Sequence, residues 1–305
     1  MKKLVKWLIR IIGVLLILGV LRLLFFTSCY IPNQGMENNL MQGDHIIINK
    51  LSYGFTNPFS GSKSNSSNPE RGDIVLFNNP LKSLEEYAKD DIYISRCVGT
   101  PGDTLIVDSL FNILDTEGFF NPDQKDIYNY NIQNDEEIKT ILTRLKINRT
   151  PTSLDSLTLG ISLSAYELYL VEQELLDDTI IQPSGENIVS KSYPLIIPEK
   201  GKTLKVEPWN IVLLYNTILL HEGKDIQMKD NALWWNGKKI LRYTFSKDYT
   251  WMTASNSVNH IDSRQFGFVP TDDLIGKASF VWFSKDPNKN LLHGYRWGRT
   301  FQSIY

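Results

Sequence analysis

The first thirty residues restrict what this chain can become more than any later stretch does. Lys2, Lys3, Lys6 and Arg10 come first, followed by the apolar run Ile11 to Leu21, then Arg22 and Leu23 to Phe26. Trp7 to Phe26 makes 20 residues, and a helix needs about 20 to cross a hydrocarbon core of about 30 Å. Arg10 and Arg22 lie near the two ends, where long side chains reach back to headgroups. Positive charge ahead of a span keeps the N-terminus in the cytoplasm and sends the following chain outside. Residues 1–28 are therefore expected to form a single-pass anchor.

Two other readings compete with the anchor. The uninterrupted apolar run is short enough for a cleaved signal peptide. In addition, Phe26-Thr27-Ser28-Cys29 has the outline of a lipoprotein signal, with Cys29 lipidated after cleavage.

The chain beyond is long enough, at 305 residues in all, to bury a full core. Its net charge of -2 gives no basic field for nucleic acid. The two cysteines, Cys29 and Cys97, lack any metal-ligand spacing and are expected as packed thiols. His45 and His221 have no partner at such spacing either, so neither a metal nor a cofactor is expected.

One device recurs after the anchor. Gly43-Asp44, Gly72-Asp73 and Gly102-Asp103 each precede a short apolar run: His45 to Asn49, Ile74 to Phe77 and Thr104 to Val107. Gly takes turn conformations that other residues resist, and Asp bonds nearby backbone N–H groups. The runs are rich in β-branched residues, so three strands entered through tight turns are expected. Residues 53–70 read as a polar loop.

Residues 108–200 change character. Asp135 to Leu145 and Leu154 to Leu175 carry apolar residues at helical spacing, which predicts amphipathic helices. Strand patterns return with Pro194 to Pro198, Asn210 to Tyr215, Ala232 to Trp235 and Tyr243 to Phe245, and Asn236-Gly237 is a hairpin signal.

Four stretches carry more specific information. They are Ile31-Pro32-Asn33-Gln34-Gly35-Met36-Glu37, Arg71 to Phe77, Tyr93-Ile94-Ser95-Arg96 through Pro101-Gly102-Asp103, and Asp262-Ser263-Arg264 through Val269-Pro270, the last followed by Gly276-Lys277-Ala278. In this order they resemble the boxes of bacterial signal peptidase I, where Ile-Pro-Ser-x-Ser-Met-Glu holds the nucleophilic serine and Tyr-Ile-Lys-Arg the lysine base. The resemblance implies a mainly β fold: an antiparallel signal-peptidase-like β domain with a helical insertion, plus one N-terminal transmembrane helix. It divides the chain into an anchor at 1–28, a first part of the β domain at 29–107, a variable helical insertion at 108–200 and a second part at 201–305.

At the positions that matter most the chain departs from that pattern. Gly35 stands at the nucleophile and Ser95 at the general base, Asn33 at the side-chain oxyanion donor, and His260 where a supporting serine is kept. Ala254-Ser255-Asn256-Ser257 replaces a Gly-Asp-Asn-Arg. Glycine has no side chain and a serine hydroxyl is no base near neutral pH, so neither fills its role. The Asn33 amide and the Gly35 N–H are expected to leave half an oxyanion hole. The resemblance assigns Cys29, Ile31, Leu40, Tyr93 and Ile94 to the pockets for small side chains, and Asp262 with Arg264 to a structural ion pair.

The expectation is thus a catalytically inactive relative in the bacterial inner membrane that keeps a peptide- or partner-binding β domain. The partners so implied are the membrane, preproteins bearing signal peptides, an active signal peptidase or secretion machinery. Two alternatives stand beside it: an active peptidase rewired around Ser95 and His260, and a lipid-anchored structural protein.

Overall fold

The computed structural model describes residues 2–37, 39–56, 63–64, 67–82, 92–115, 124–145, 147, 149–175, 179–184, 191–256, 261–290 and 293–304. Helix α1 covers Lys2–Leu24, and most of its described apolar side chains, among them Ile9, Val14, Leu16 and Ile17, are exposed. Over the described residues, no helix is long and apolar enough to cross a membrane. The helix also stops earlier than the sequence pattern implies. Phe26–Tyr30 is a strand paired with Asp44–Asn49, because this aromatic and hydroxyl-bearing run finds a partner edge there. The β domain thus begins within the stretch expected to be anchor.

All three strands expected after Gly-Asp turns are present, as Asp44–Asn49, Ile74–Asn78 and Thr104–Val107. Gly43, Gly72 and Gly102 take φ of 92°, 99° and 88° at their entrances. The first two strands enter an eight-stranded antiparallel sheet. Its order runs Phe26–Tyr30, Asp44–Asn49, Leu274–Ser284, Ile74–Asn78, Ile92–Gly99, Tyr249–Thr253 and Val269–Pro270, with Gln302–Ser303 also on Leu274–Ser284. The long strand Leu274–Ser284 holds the sheet together by pairing with Asp44–Asn49 along one part and Ile74–Asn78 along another.

Three apolar clusters bury the surfaces of this domain. One face of the strands packs Ile31, Met36, Leu40, Ile46, Ile74 and Val281. The other packs Val75, Phe77, Cys97, Met252, Phe266 and Val269. The third cluster centres on Trp251, Tyr249 and Phe245 and takes in helix α4, Ile211–His221. The sequence pattern had Asn210 to Tyr215 as a strand. A continuous apolar run does not distinguish strand from helix, and here Ile211, Leu214 and Ile218 recur at helical spacing on the buried side. The hairpin at Asn236-Gly237 forms between Ala232–Trp235 and Lys238–Ile240.

Residues 125–184 form a small unit with its own core, built of Tyr130, Ile138, Leu142, Leu163 and Val171 among others. It is an α/β unit and not the helical insertion expected. A four-stranded sheet, including Lys125–Asn131 and Thr158–Ser164, carries α2 at Asp135–Arg144 and α3 at Ala165–Glu174. The helix expected over Leu154 to Leu175 is half strand. Ser164 caps α3 in a reciprocal box with Glu167, which sets the helix start at Ala165.

Candidate functional site

The segment Ile31 to Leu40 links the first two strands and is nailed down by three side chains. Ile31, Met36 and Leu40 are all buried in the core. Backbone bonds close the loop at its base, Ile31 N–H to the Asp44 carbonyl and Gly43 N–H to the Ile31 carbonyl, each 2.9 Å. The carboxylate of Asp44, fully buried, accepts from Met41 N–H at 2.9 Å and from Arg299 at 2.6 Å.

Gly35 is buried on this loop and lies outside the positive-φ glycines. Its N–H donates to Asn33 Oδ1 at 3.1 Å, and its carbonyl accepts from Asn256 N–H at 2.9 Å. Here the two groups expected to form half an oxyanion hole are bonded to each other, Asn33 bending back in a local turn to accept from Gly35 N–H.

Ser95 sits in the strand Ile92–Gly99 opposite Val75 and is 2% exposed. The regular register sends its side chain to the face that carries Val75, Phe77, Tyr93 and Cys97. That is an apolar, desolvated setting, of the sort that would hold a lysine neutral. On its other side Thr253 pairs with Arg96, so Ala254 continues alongside Ser95. Two residues on, Asn256 is bonded to Gly35, and the stretch Ala254 to Asn256 therefore runs between the two positions.

Asp262 and Arg264 form a close pair, Nη2 to Oδ2 2.6 Å and Nε to Oδ1 3.0 Å, with Asp262 fully buried. Asp262 also caps the short helix α5, Ser263–Phe266, and accepts from Ala254 N–H at 3.0 Å. The pair thereby fixes the end of the strand Tyr249–Thr253. His260 lies outside the described residues.

The five residues assigned to pockets do not share one surface. Cys29, Ile31, Leu40 and Ile94 join one cluster, Ile31 and Leu40 at 1% and 0% exposure. Tyr93 faces the opposite way, its ring 6.2 Å from Phe77 and 5.9 Å from Phe266. Neighbouring strand residues point to opposite faces, which separates Tyr93 from Ile94. Both cysteines are free, and burial raises both thiol pKa values.

A group the sequence did not single out lies beside Gly35. Glu37 contacts Arg149 at 2.5 Å, Arg149 contacts Glu167 at 3.3 Å, and Glu167 contacts Lys125 at 2.7 Å. Burial raises the Glu37 carboxyl against the pull of Arg149 and Lys125. Burial lowers the Lys125 ammonium against that of Glu167. Glu37 is part of the recognisable box, and the Ser164 and Glu167 spacing is a capping signal; nothing in the sequence announces Arg149 or Lys125.

Comparison with known proteins supplies the lineage. The family model described as signal peptidase, peptidase S26, matches residues 4–117 and 242–283. The chain belongs to this family. Signal peptidase I of Buchnera aphidicola subsp. Schizaphis graminum is 26% identical over 275 residues, covering 90% of this chain and 73% of the relative. That of Aquifex aeolicus is 24% identical over 257 residues, covering 83% and 74%. That of Pseudomonas aeruginosa is 37% identical over 93 residues, covering 30% and 31%. The matched stretches of this signal peptidase relative hold most of the eight-stranded sheet, whereas the small α/β unit and α4 fall in the unmatched interval.

Proposed function

We propose that the chain is a membrane-anchored signal peptidase relative that does not cleave and uses its β domain to hold an extended peptide or a partner protein. The observation that carries this reading is the pair of residues at the reactive positions, Gly35 and Ser95, in a family whose chemistry needs a hydroxyl and an amine there. Loss of one member of such a set removes most of the acceleration. The hydrogen bond from Gly35 N–H to Asn33 removes a donor as well. An edge strand such as Phe26–Tyr30 offers backbone groups to which an extended peptide can add.

Support for the anchor comes from α1. Its 23 residues extend about 35 Å at 1.5 Å each, and its apolar side chains are exposed on several sides, including Ile11, Ile12, Leu15 and Val20. Aromatic residues suited to the headgroup region follow it: Phe26 and Tyr30 on the next strand, and Trp282, whose indole N–H donates to Ser28 at 3.1 Å. Cys29 lies inside that strand, where Thr27 and Ser28 pair with Ile48 and Ile47. Cleavage before Cys29 would strip those pairings, which argues against the lipid-anchored alternative. On this reading the protein sits in the bacterial inner membrane with its N-terminus cytoplasmic.

The test is a preprotein cleavage assay in lipid with the full chain and its Gly35→Ser, Ser95→Lys double variant. The wild-type chain is expected to leave the preprotein intact, and the double variant to gain cleavage. Cleavage of the preprotein by the wild-type chain would overturn the proposal.

A further inference from the structure

The buried charges beside Gly35 belong to two different parts of the molecule. Glu37 is on the loop after Ile31, whereas Lys125, Arg149 and Glu167 are on the small α/β unit. Two carboxylates face two cations, so the group is neutral as a whole, and the side chains of Glu37, Arg149 and Glu167 are 9%, 6% and 9% exposed. Glu167 is itself held by the α3 cap: its Oε2 accepts from Ser164 N–H at 2.8 Å.

Three further bonds run across the same boundary or beside it. Lys125 N–H donates to the Ser255 carbonyl at 2.9 Å, Ser162 Oγ lies 3.2 Å from Asn256 Oδ1, and Asn256 N–H donates to the Gly35 carbonyl at 2.9 Å. The small unit is therefore fastened both to the Gly35 loop and to Ala254–Asn256, the segment that runs between that loop and Ser95. Removing one ion leaves another buried and unpaired, at a cost that a surface pair does not carry.

We infer that the small α/β unit is a latch over the Gly35 loop, with Arg149 as its pin, and that a peptide or partner reaches Gly35 only when the Glu37–Arg149 contact is broken. This deepens the proposed function by naming how access to that site is controlled. Its test reads backbone protection and not cleavage, so it fails or succeeds independently of that reading.

The experiment is amide hydrogen exchange on the full chain in lipid nanodiscs. The double variant Glu37→Gln, Arg149→Met removes one negative and one positive charge and leaves the Lys125–Glu167 pair balanced. Exchange at residues 35–37 and 254–256 is expected to quicken on the order of a hundredfold, with protection kept at Ile138, Leu163 and Val171 in the small unit and at Trp251 in the main core. Unchanged protection at 35–37 and 254–256 in the folded variant would overturn the inference. So would a loss spread evenly over both cores, which would mark the charges as general stabilisers. Should the double variant not fold, Arg149→Lys is read by the same two criteria, because lysine keeps the charge and loses the forked contact.

Discussion

At Gly43 the chain turns into the second strand with φ of 92°, and a Cβ there would stand 1.9 Å from the Lys285 carbonyl oxygen. Both facts concern backbone, which cannot swing aside as a side chain can. Gly43→Ala should therefore cost at least about 2 kcal/mol from conformation and contact together, seen as a lowered Tm in thermal denaturation. An unchanged Tm would mean the turn is not built this way. Gly35 differs in lying outside the positive-φ glycines. Ser95 lies on the strand face of Val75 and Cys97, in apolar surroundings of the kind that would hold a lysine neutral.

At the scale of elements, α4 shows what a pattern of apolar residues leaves open. Its last residue, His221, is packed 6.2 Å from the Tyr249 ring, with Lys247 and Glu222 also nearby. Burial first, then Lys247, lower its pKa to about 4, against the opposing pull of Glu222. In the unfolded chain a histidine titrates near 6.5, so the unfolded state takes up the proton first as the pH falls. The stability due to neutral His221 is complete above about pH 6.5 and is lost as the pH drops toward about 4. Its size is at most about 3 kcal/mol. Urea denaturation at pH 7 and pH 4.5 should show a smaller acid loss for His221→Gln than for wild type; equal losses would refute the assignment. The strands after Gly-Asp turns were legible because turn chemistry and β-branched runs agree there. By contrast, Asn210 to Tyr215 and Leu154 to Leu175 offered apolar residues without a deciding local signal, apart from the Ser164–Glu167 cap that marks where α3 starts. Contacts between segments far apart in sequence, Glu37 with Arg149 above all, have no local signature.

Over the whole molecule, the parts shared with the family and the parts outside the match divide the work. The matched stretches supply most of the sheet, the Gly35 loop and the Ser95 strand. The unmatched interval supplies the unit whose Arg149 and Lys125 close on that loop. The boxes made the family readable from sequence, whereas the bond from the Gly35 N–H to Asn33 has no signature there that sets it apart. The proposed lack of cleavage rests on Gly35 standing where the family keeps its attacking hydroxyl. Intact-mass spectrometry of the full chain after exposure to a serine-directed acylating inhibitor measures this directly. The mass is predicted to stay that of the unmodified chain, and a covalent adduct that disappears in Ser95→Ala would contradict it.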